Sequence, residues 1–231
     1  MKYPFQFQLK PLVLQPMKQH WQTLLIVAAI FLLWNTPLMI PLKILIVFFH
    51  ELSHGLAALL TGGSIESISV SPQQGGLTVT RGGWLFFITS AGYLGSLLIG
   101  VLLYLAALNT KADKLIMGAL GATMLLVAAL YMRELFALGF TIAAGAAMLL
   151  SAKYLPENIN DAALRVFGLV SMGYVPFDIL SDTILRSNLR SDAYNLSTQT
   201  YLPTVFWGGL WLLISLVVIF YTFKRSQRAS R

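Results

Sequence analysis

The stretch that decides the fold is ILIVFFHELSHGLAALL, residues 44–60. It is apolar except for a short polar centre that contains His50, Glu51 and His54. With the apolar residues that precede it, the run is close to the roughly 20 residues that a helix needs to cross the hydrocarbon core of a bilayer. The sequence therefore predicts a membrane helix that carries three ionisable side chains in its interior.

The spacing of these polar residues predicts a metal site. His50 and His54 are four residues apart, so on a helix both imidazoles project from the same face and can bind one zinc ion. The Glu51 carboxylate can act as general base toward water that the metal activates. Ionisable groups inside a span cost about 2.5–3.5 kcal/mol each on insertion scales, so three together require a compensating partner. Hydrogen bonding to other helices and a metal-free proton relay are the alternatives.

The composition indicates a multi-pass membrane protein. Hydrophobic residues make up 57% of the 231-residue chain and charged residues only 11%, whereas an average soluble domain is about a quarter charged. Because the chain has no cysteine, a transition-metal site must use nitrogen and oxygen ligands. The net charge of +7 comes largely from the two ends. We interpret it as contacts with lipid headgroups rather than with nucleic acid.

The apolar segments predict an all-α polytopic integral membrane protein with six or seven transmembrane helices. They lie at about residues 22–40, 42–60, 84–108, 114–132, 134–152, 162–185 and 204–223. Only Pro37–Pro41 and Lys43 separate the first two, so residues 22–60 can instead form a broken or tightly turned helical hairpin. We divide the chain into an N-terminal interfacial segment, a single transmembrane domain and a basic tail, at residues 1–21, 22–223 and 224–231. Basic residues at both ends favour an even number of spans.

A β-hairpin is predicted between the second and third apolar segments. The sequence GGSIESISVSPQQGGLTVTRGG, residues 62–83, has two short runs with β-branched residues on either side of a Pro-Gln-Gln-Gly-Gly turn. It is bounded by glycine pairs and carries few charges. Such a hairpin can dip into the membrane interface where protein covers its polar backbone.

A third zinc ligand is expected from a carboxylate inside apolar sequence, and GLVSMGYVPFDILSDTIL supplies Asp178 and Asp182. These two are also four apart and share a helix face, while Pro176 can loosen the preceding turn. We prefer Asp178 because it lies deeper in the apolar stretch; the other aspartate can then support a ligand from outside the metal shell. The alternative for either is an ion pair with Arg186 or Arg190.

Together these motifs resemble the site-2 protease class of intramembrane zinc metalloproteases, in its compact branch without a PDZ domain. The resemblance rests on HELSHG in an apolar helix, the hairpin after it, Ala91–Ser96 (AGYLGS), Asp178–Asp182 (DILSD) and Ser191–Ala193 (SDA). The well-known Leu-Asp-Gly motif that carries the third ligand in other members does not occur here. We assign no chemistry to Ser191–Ala193; Ser191 can cap a helix.

The resemblance implies a Zn²⁺-dependent protease that hydrolyses peptide bonds within or next to the membrane. The implied partners are transmembrane protein substrates and the lipid bilayer, with adaptor proteins as a further possibility. We expect a multi-pass location, which for a bacterial protein means the inner membrane. Two rival hypotheses are a catalytically silent scaffold or chaperone with this fold, and a proton or cation pathway that uses Glu51, Asp178 and Asp182.

Overall fold

The computed structural model of the chain describes residues 16–185 and 191–228. Eight α-helices and one two-stranded sheet make up this part of the protein. In chain order they are α1 (Pro16–Leu33), α2 (Ile40–Leu60), β1 (Ser64–Val70), β2 (Gly76–Arg81), α3 (Leu85–Asn109), α4 (Asp113–Tyr131), α5 (Leu135–Tyr154), α6 (Glu157–Leu180), α7 (Asp192–Thr200) and α8 (Thr204–Arg228). A 3-10 turn, Pro37–Met39, precedes α2, and a π-helical turn, Ser181–Leu185, follows α6.

In the described residues, six helical segments are long and apolar enough to cross a membrane. They are Pro37–Leu60, Leu85–Asn109, Asp113–Tyr131, Leu135–Tyr154, Glu157–Thr183 and Thr204–Ser226. The protein is therefore a multi-pass integral membrane protein, which confirms the predicted all-α polytopic class and its β-hairpin.

The first predicted span, residues 22–40, differs from the observed helix. Helix α1 ends at Leu33, and its apolar part, Trp21–Leu33, is shorter than a full span. The reason is Pro37, because the residue before a proline is disfavoured in the α conformation. Thr36 accordingly has extended angles (φ −94°, ψ 156°), and the helical path restarts at Pro37.

Helix α2 lies at the centre of the fold, in contact with α3, α6 and both strands. Its first half, Ile44–Phe49, is buried in the main hydrophobic core. Strand β1 covers the next turn, where Ile68 is fully buried and the side chain of Ile65 lies against Gly55. The centre of α2 is therefore enclosed by protein rather than by lipid.

The hairpin has the predicted antiparallel pairing, from Ser64 opposite Arg81 to Val70 opposite Gly76. One extra residue in β1, Glu66, interrupts the register as a bulge. The glycines at its ends adopt positive φ angles, +84° at Gly62 and +69° at Gly82, which other residues rarely adopt. These glycines let the chain turn sharply from α2 into the hairpin and out of it toward α3.

Helix α3 presents small residues at four-residue spacing to α2 and α6, a pattern that allows close helix packing. They are Gly92, which faces α2, and Ser96 and Gly100, which face α6. The backbones of Gly100 and Gly168 touch, so that a Cβ added at Gly168 would lie 2.6 Å from the Gly100 carbonyl oxygen. Ser171 of α6 donates a hydrogen bond of 2.8 Å to the Ser96 carbonyl oxygen. These close contacts fix the position of α6 relative to α3. The C-terminal end of α6, which carries Asp178, reaches the cavity described below.

A methyl group at Gly168 is expected to separate α3 from α6, because it would meet the Gly100 carbonyl oxygen and the Tyr104 amide nitrogen and Cβ, none of which can rotate away. Gly168→Ala should destabilise the protein by roughly 1–3 kcal/mol, measured by thermal unfolding in detergent. Gly173→Ala on the same helix is the control, since a Cβ there meets nothing within 4 Å. Equal melting temperatures for the two variants would contradict this account of the packing.

Candidate metal centre

Helix α2 places His50, Glu51 and His54 in the interior of the protein. Glu51 is 5% exposed and His54 8% exposed. The two imidazoles lie one turn apart, with ring centroids separated by 4.7 Å. The local sequence determines this arrangement, because an uninterrupted helix must bring residues i and i+4 to one face.

The third member of the cluster is Asp192, the first residue of α7. Its Oδ2 lies 2.9 Å from Nε2 of His50 and 3.2 Å from Nε2 of His54. Ser191 caps the helix by accepting a hydrogen bond from the main-chain N–H of Tyr194. Burial alone would raise the pKa of the Asp192 carboxyl, but the adjacent His54 and His50 outweigh burial and lower that pKa below its ordinary value. Asp192 is therefore present as a carboxylate, the form that ligates metals.

The His54 ring is held in the tautomer that a metal ligand requires. Its Nδ1 lies 2.6 Å from the Ile88 carbonyl oxygen. Because a carbonyl oxygen can only accept, Nδ1 carries the proton and donates it. The lone pair of a neutral imidazole is then on Nε2, which faces Asp192. An N–H···O=C bond of this kind typically orients a histidine ligand from outside the metal shell.

The His50 ring is oriented by an aromatic neighbour. Tyr93 of α3 packs edge-to-face on it, with a centroid distance of 4.8 Å and an interplanar angle of 83°. The Tyr93 hydroxyl donates a short hydrogen bond to Oδ2 of Asp182 in the π-helical turn. Tyr93 thus links Asp182 to the cluster.

The α3 backbone at Gly92 lies close against both imidazole Nε2 atoms. A Cβ at this position would lie 2.6 Å from Nε2 of His54 and closer still to Nε2 of His50. His50, His54 and Asp192 offer one ligand atom each, and the three atoms lie within 4.8 Å of one another. Two imidazole nitrogens and a carboxylate oxygen are a typical ligand set for catalytic zinc, which has three protein ligands and an open position. The three donor atoms therefore fit a zinc ion.

The cluster opens on a cavity of about 500 Å³. Helices α2 and α3 form one side and the hairpin another, with Glu51 between them. Asp178 and Asp182 line the same cavity, as does Asn195 one turn after Asp192. No lysine or arginine of the described residues lines it. The arrangement thus combines a candidate metal ligand set, a carboxylate base and room for a ligand.

The expected third ligand differs from the residue that the geometry brings to the histidines. Asp178 and Asp182 reach the cavity, but in the described residues the ligand group consists of His50, His54 and Asp192. The preference for Asp178 assumed that a buried ligand must lie in apolar sequence. Asp192 instead begins a polar helix, DAYNLSTQT, and tertiary packing leaves its side chain only 14% exposed. The alternative ion pairs with Arg186 and Arg190 lie outside the described residues.

One signal in the sequence pointed to Asp192. The Ser191–Ala193 motif belongs to the pattern that suggested the family, and a serine before an aspartate is a typical helix start. No local rule connects that start with a helix some 140 residues earlier in the chain. The pairing of Asp192 with α2 follows only from the fold.

The fold and the cluster together define a multi-pass membrane protein with a candidate metal site at mid-length of a spanning helix. A protein-family model described as Peptidase M50B-like matches residues 23–222. The match covers most of the chain, and the protein therefore belongs to this peptidase family. This membership confirms the resemblance to the site-2 protease class. Neither a comparison with curated proteins nor one with solved structures gave a match.

Replacing the proposed carboxylate ligand should abolish tight zinc binding. Asp192→Asn is expected to cost far more affinity than the roughly 10- to 100-fold typical of a partner outside the metal shell. Asp182→Asn should stay within that smaller range, because Asp182 acts through Tyr93. The measurement is competition with a chromophoric zinc chelator on purified protein. Retention of zinc by Asp192→Asn together with its loss from Asp178→Asn would reverse the assignment.

A methyl group at Gly92 should push the His50 and His54 imidazoles out of the ligand cluster, because it would lie 2.6 Å from Nε2 of His54 and closer to Nε2 of His50. We expect Gly92→Ala to lose stoichiometric zinc, measured by elemental analysis of the purified protein. Gly173→Ala on α6 is the control, because a Cβ there meets nothing within 4 Å. Stoichiometric zinc in Gly92→Ala would contradict this account of the ligand cluster.

Proposed function

We propose that this protein is a zinc-dependent peptidase that hydrolyses peptide bonds of membrane-spanning segments within or next to the bilayer. The observation that carries the proposal is the cluster of His50, His54 and Asp192 beside Glu51 on one cavity, at mid-length of a spanning helix. Membership in a peptidase family supports the same reaction class. His50, His54 and Asp192 are the proposed ligands. When bound, zinc would make water more acidic and polarise the scissile carbonyl.

Glu51 is the proposed general base. Its buried carboxylate opens on the cavity and follows a proposed ligand directly in sequence. In hydrolysis, the Glu51 carboxylate accepts a proton from the attacking water as the new carbon–oxygen bond forms. It then donates that proton to the amide nitrogen as the carbon–nitrogen bond breaks. Glu51 therefore ends the cycle ionised, ready for the next water.

The position of the cavity supports a substrate that comes from the membrane. The cavity lies between spanning helices and the hairpin, at the level of a residue near the middle of Pro37–Leu60. Backbone that is not helical is tolerated at membrane depth where it lines a water-containing cavity. Water and an unwound segment of a substrate helix would meet there. We propose transmembrane proteins as the substrates, with the bilayer as their route of access.

Loss of the base should stop cleavage without loss of the metal. Glu51→Gln is expected to lower kcat by at least about 10²-fold, because general base catalysis typically contributes 10²–10⁴-fold. The assay uses purified protein in lipid vesicles and a panel of single-span substrates, with products identified by mass spectrometry and zinc measured in parallel. Equal cleavage by Glu51→Gln and wild type would refute the role of Glu51.

The same vesicles separate the rival functions when ion flux across their membrane is measured alongside cleavage. A zinc-loaded wild type that cleaves no substrate in the panel would favour the scaffold hypothesis. Proton or cation flux across the vesicle membrane that Glu51→Gln abolishes would favour the ion pathway.

A further inference from the structure

The hairpin contacts the proposed base directly. The Thr78 hydroxyl on β2 lies 2.7 Å from Oε2 of Glu51 and 3.0 Å from the Glu51 main-chain carbonyl oxygen. An ionised carboxylate only accepts hydrogen bonds, so the hydroxyl is the donor. In the part of the chain that the structure describes, Thr78 is the only residue whose side chain hydrogen-bonds to this carboxylate.

A second residue of β2 limits the space around Glu51. A Cβ added at Gly76 would lie 2.6 Å from Cγ of Glu51 and closer to Oε1. The strand backbone at Gly76 therefore abuts the carboxylate, and a side chain there would displace it. Residues 76 and 78 point to the same face of the strand. The Thr78 hydroxyl and the Gly76 backbone, both on this face of β2, therefore contact the Glu51 side chain at two points.

The support behind Thr78 is rigid. Thr78 pairs with Ile68 of β1, and the Ile68 side chain is fully buried in the main core. Ile68 and Ile65 pack against Gly55, one turn after Glu51 on α2. Threonine is β-branched and has few rotamers in a strand. The hydroxyl is thus fixed relative to the helix that carries the base.

We propose that Thr78, aided by the absence of a side chain at Gly76, is a positioning residue that fixes the Glu51 carboxylate for proton transfer. This inference rests on the proposed peptidase function and names how its base is held. Glutamate has three rotatable side-chain bonds, so a hydrogen bond and a close backbone contact select one of several orientations. Orientation matters because a misplacement of about 1 Å can cost about 10²-fold in rate.

A purely structural role predicts different behaviour. If the hydrogen bond only attached the hairpin to α2, its loss would lower the melting temperature and disturb the neighbouring ligands. A positioning role instead lowers kcat while KM, zinc content and melting temperature stay close to the wild-type values. It also requires that any side chain with a hydroxyl in the same place restores the rate.

The test compares Thr78→Val, which removes the hydroxyl at nearly constant shape, with Thr78→Ser, which keeps it. We expect Thr78→Val to lower kcat by about 10- to 100-fold, and Thr78→Ser to recover most of the rate. Gly76→Ala should lower kcat in the same way, because its Cβ displaces Glu51. Val79→Thr is the matched control: it makes the reverse exchange on the other face of β2 and should cleave like the wild type.

Several results would overturn the inference. The first is a wild-type kcat in Thr78→Val, and the second is a Thr78→Ser variant as slow as Thr78→Val. The third is a lower zinc content or a lower melting temperature in Thr78→Val. The double variant Thr78→Val, Glu51→Gln should be no slower than Glu51→Gln alone, since the hydroxyl acts only through Glu51. A normal rate in Thr78→Val with an inactive Glu51→Gln refutes this inference alone. A fully active Glu51→Gln refutes the role of Glu51 and this inference with it, whereas a zinc-loaded wild type that cleaves no substrate refutes the proposed function.

Discussion

The contact of the Asp192 carboxylate with the His50 and His54 imidazoles is the constraint on which the rest of the structure depends. Ionisable groups at mid-length of a spanning helix have no bulk water to solvate them, so each must face protein, an enclosed cavity or a metal. That requirement explains why α2 is the most enclosed of the spanning helices that the structure describes. It also explains why the short polar helix α7, which packs on α3 and α8, places Asp192 against the two histidines of α2. It also explains why the hairpin covers the side of α2 that would otherwise expose Glu51 to lipid.

Two glycines allow other elements to approach the reactive side chains. At Gly92 the α3 backbone comes close to both imidazole Nε2 atoms, and at Gly76 the β2 backbone comes close to the Glu51 carboxylate. A Cβ at either place would displace a group that the proposed chemistry needs. Hydrogen bonds then define orientation: the Ile88 carbonyl oxygen accepts from the His54 imidazole, and the Thr78 hydroxyl donates to the Glu51 carboxylate. The site is thus built by close backbone approach together with a few directed polar contacts.

Much of the fold was predictable from the sequence because its signals are local. Long apolar runs predicted the spans, and alternating β-branched residues around a Gly-rich turn predicted the hairpin. The prediction was wrong in detail at the first span, where Pro37 interrupts the helical path and leaves α1 short. The short helix α7 was indicated only by its capping serine, since nine mostly polar residues carry no membrane signal.

For the candidate site, the sequence by itself determined the pair of histidines and the adjacent carboxylate, because a helix must place residues i and i+4 on one face. It also showed that these groups need a partner, since the surrounding residues are apolar. Only the tertiary structure decided which carboxylate meets the histidines and which residues hold Glu51. Thr78 and Gly92 reach the cluster because β2 and α3 pack on α2, and Asp192 reaches it because α7 packs on α3 and α8. No local spacing rule encodes contacts between segments so far apart in the chain.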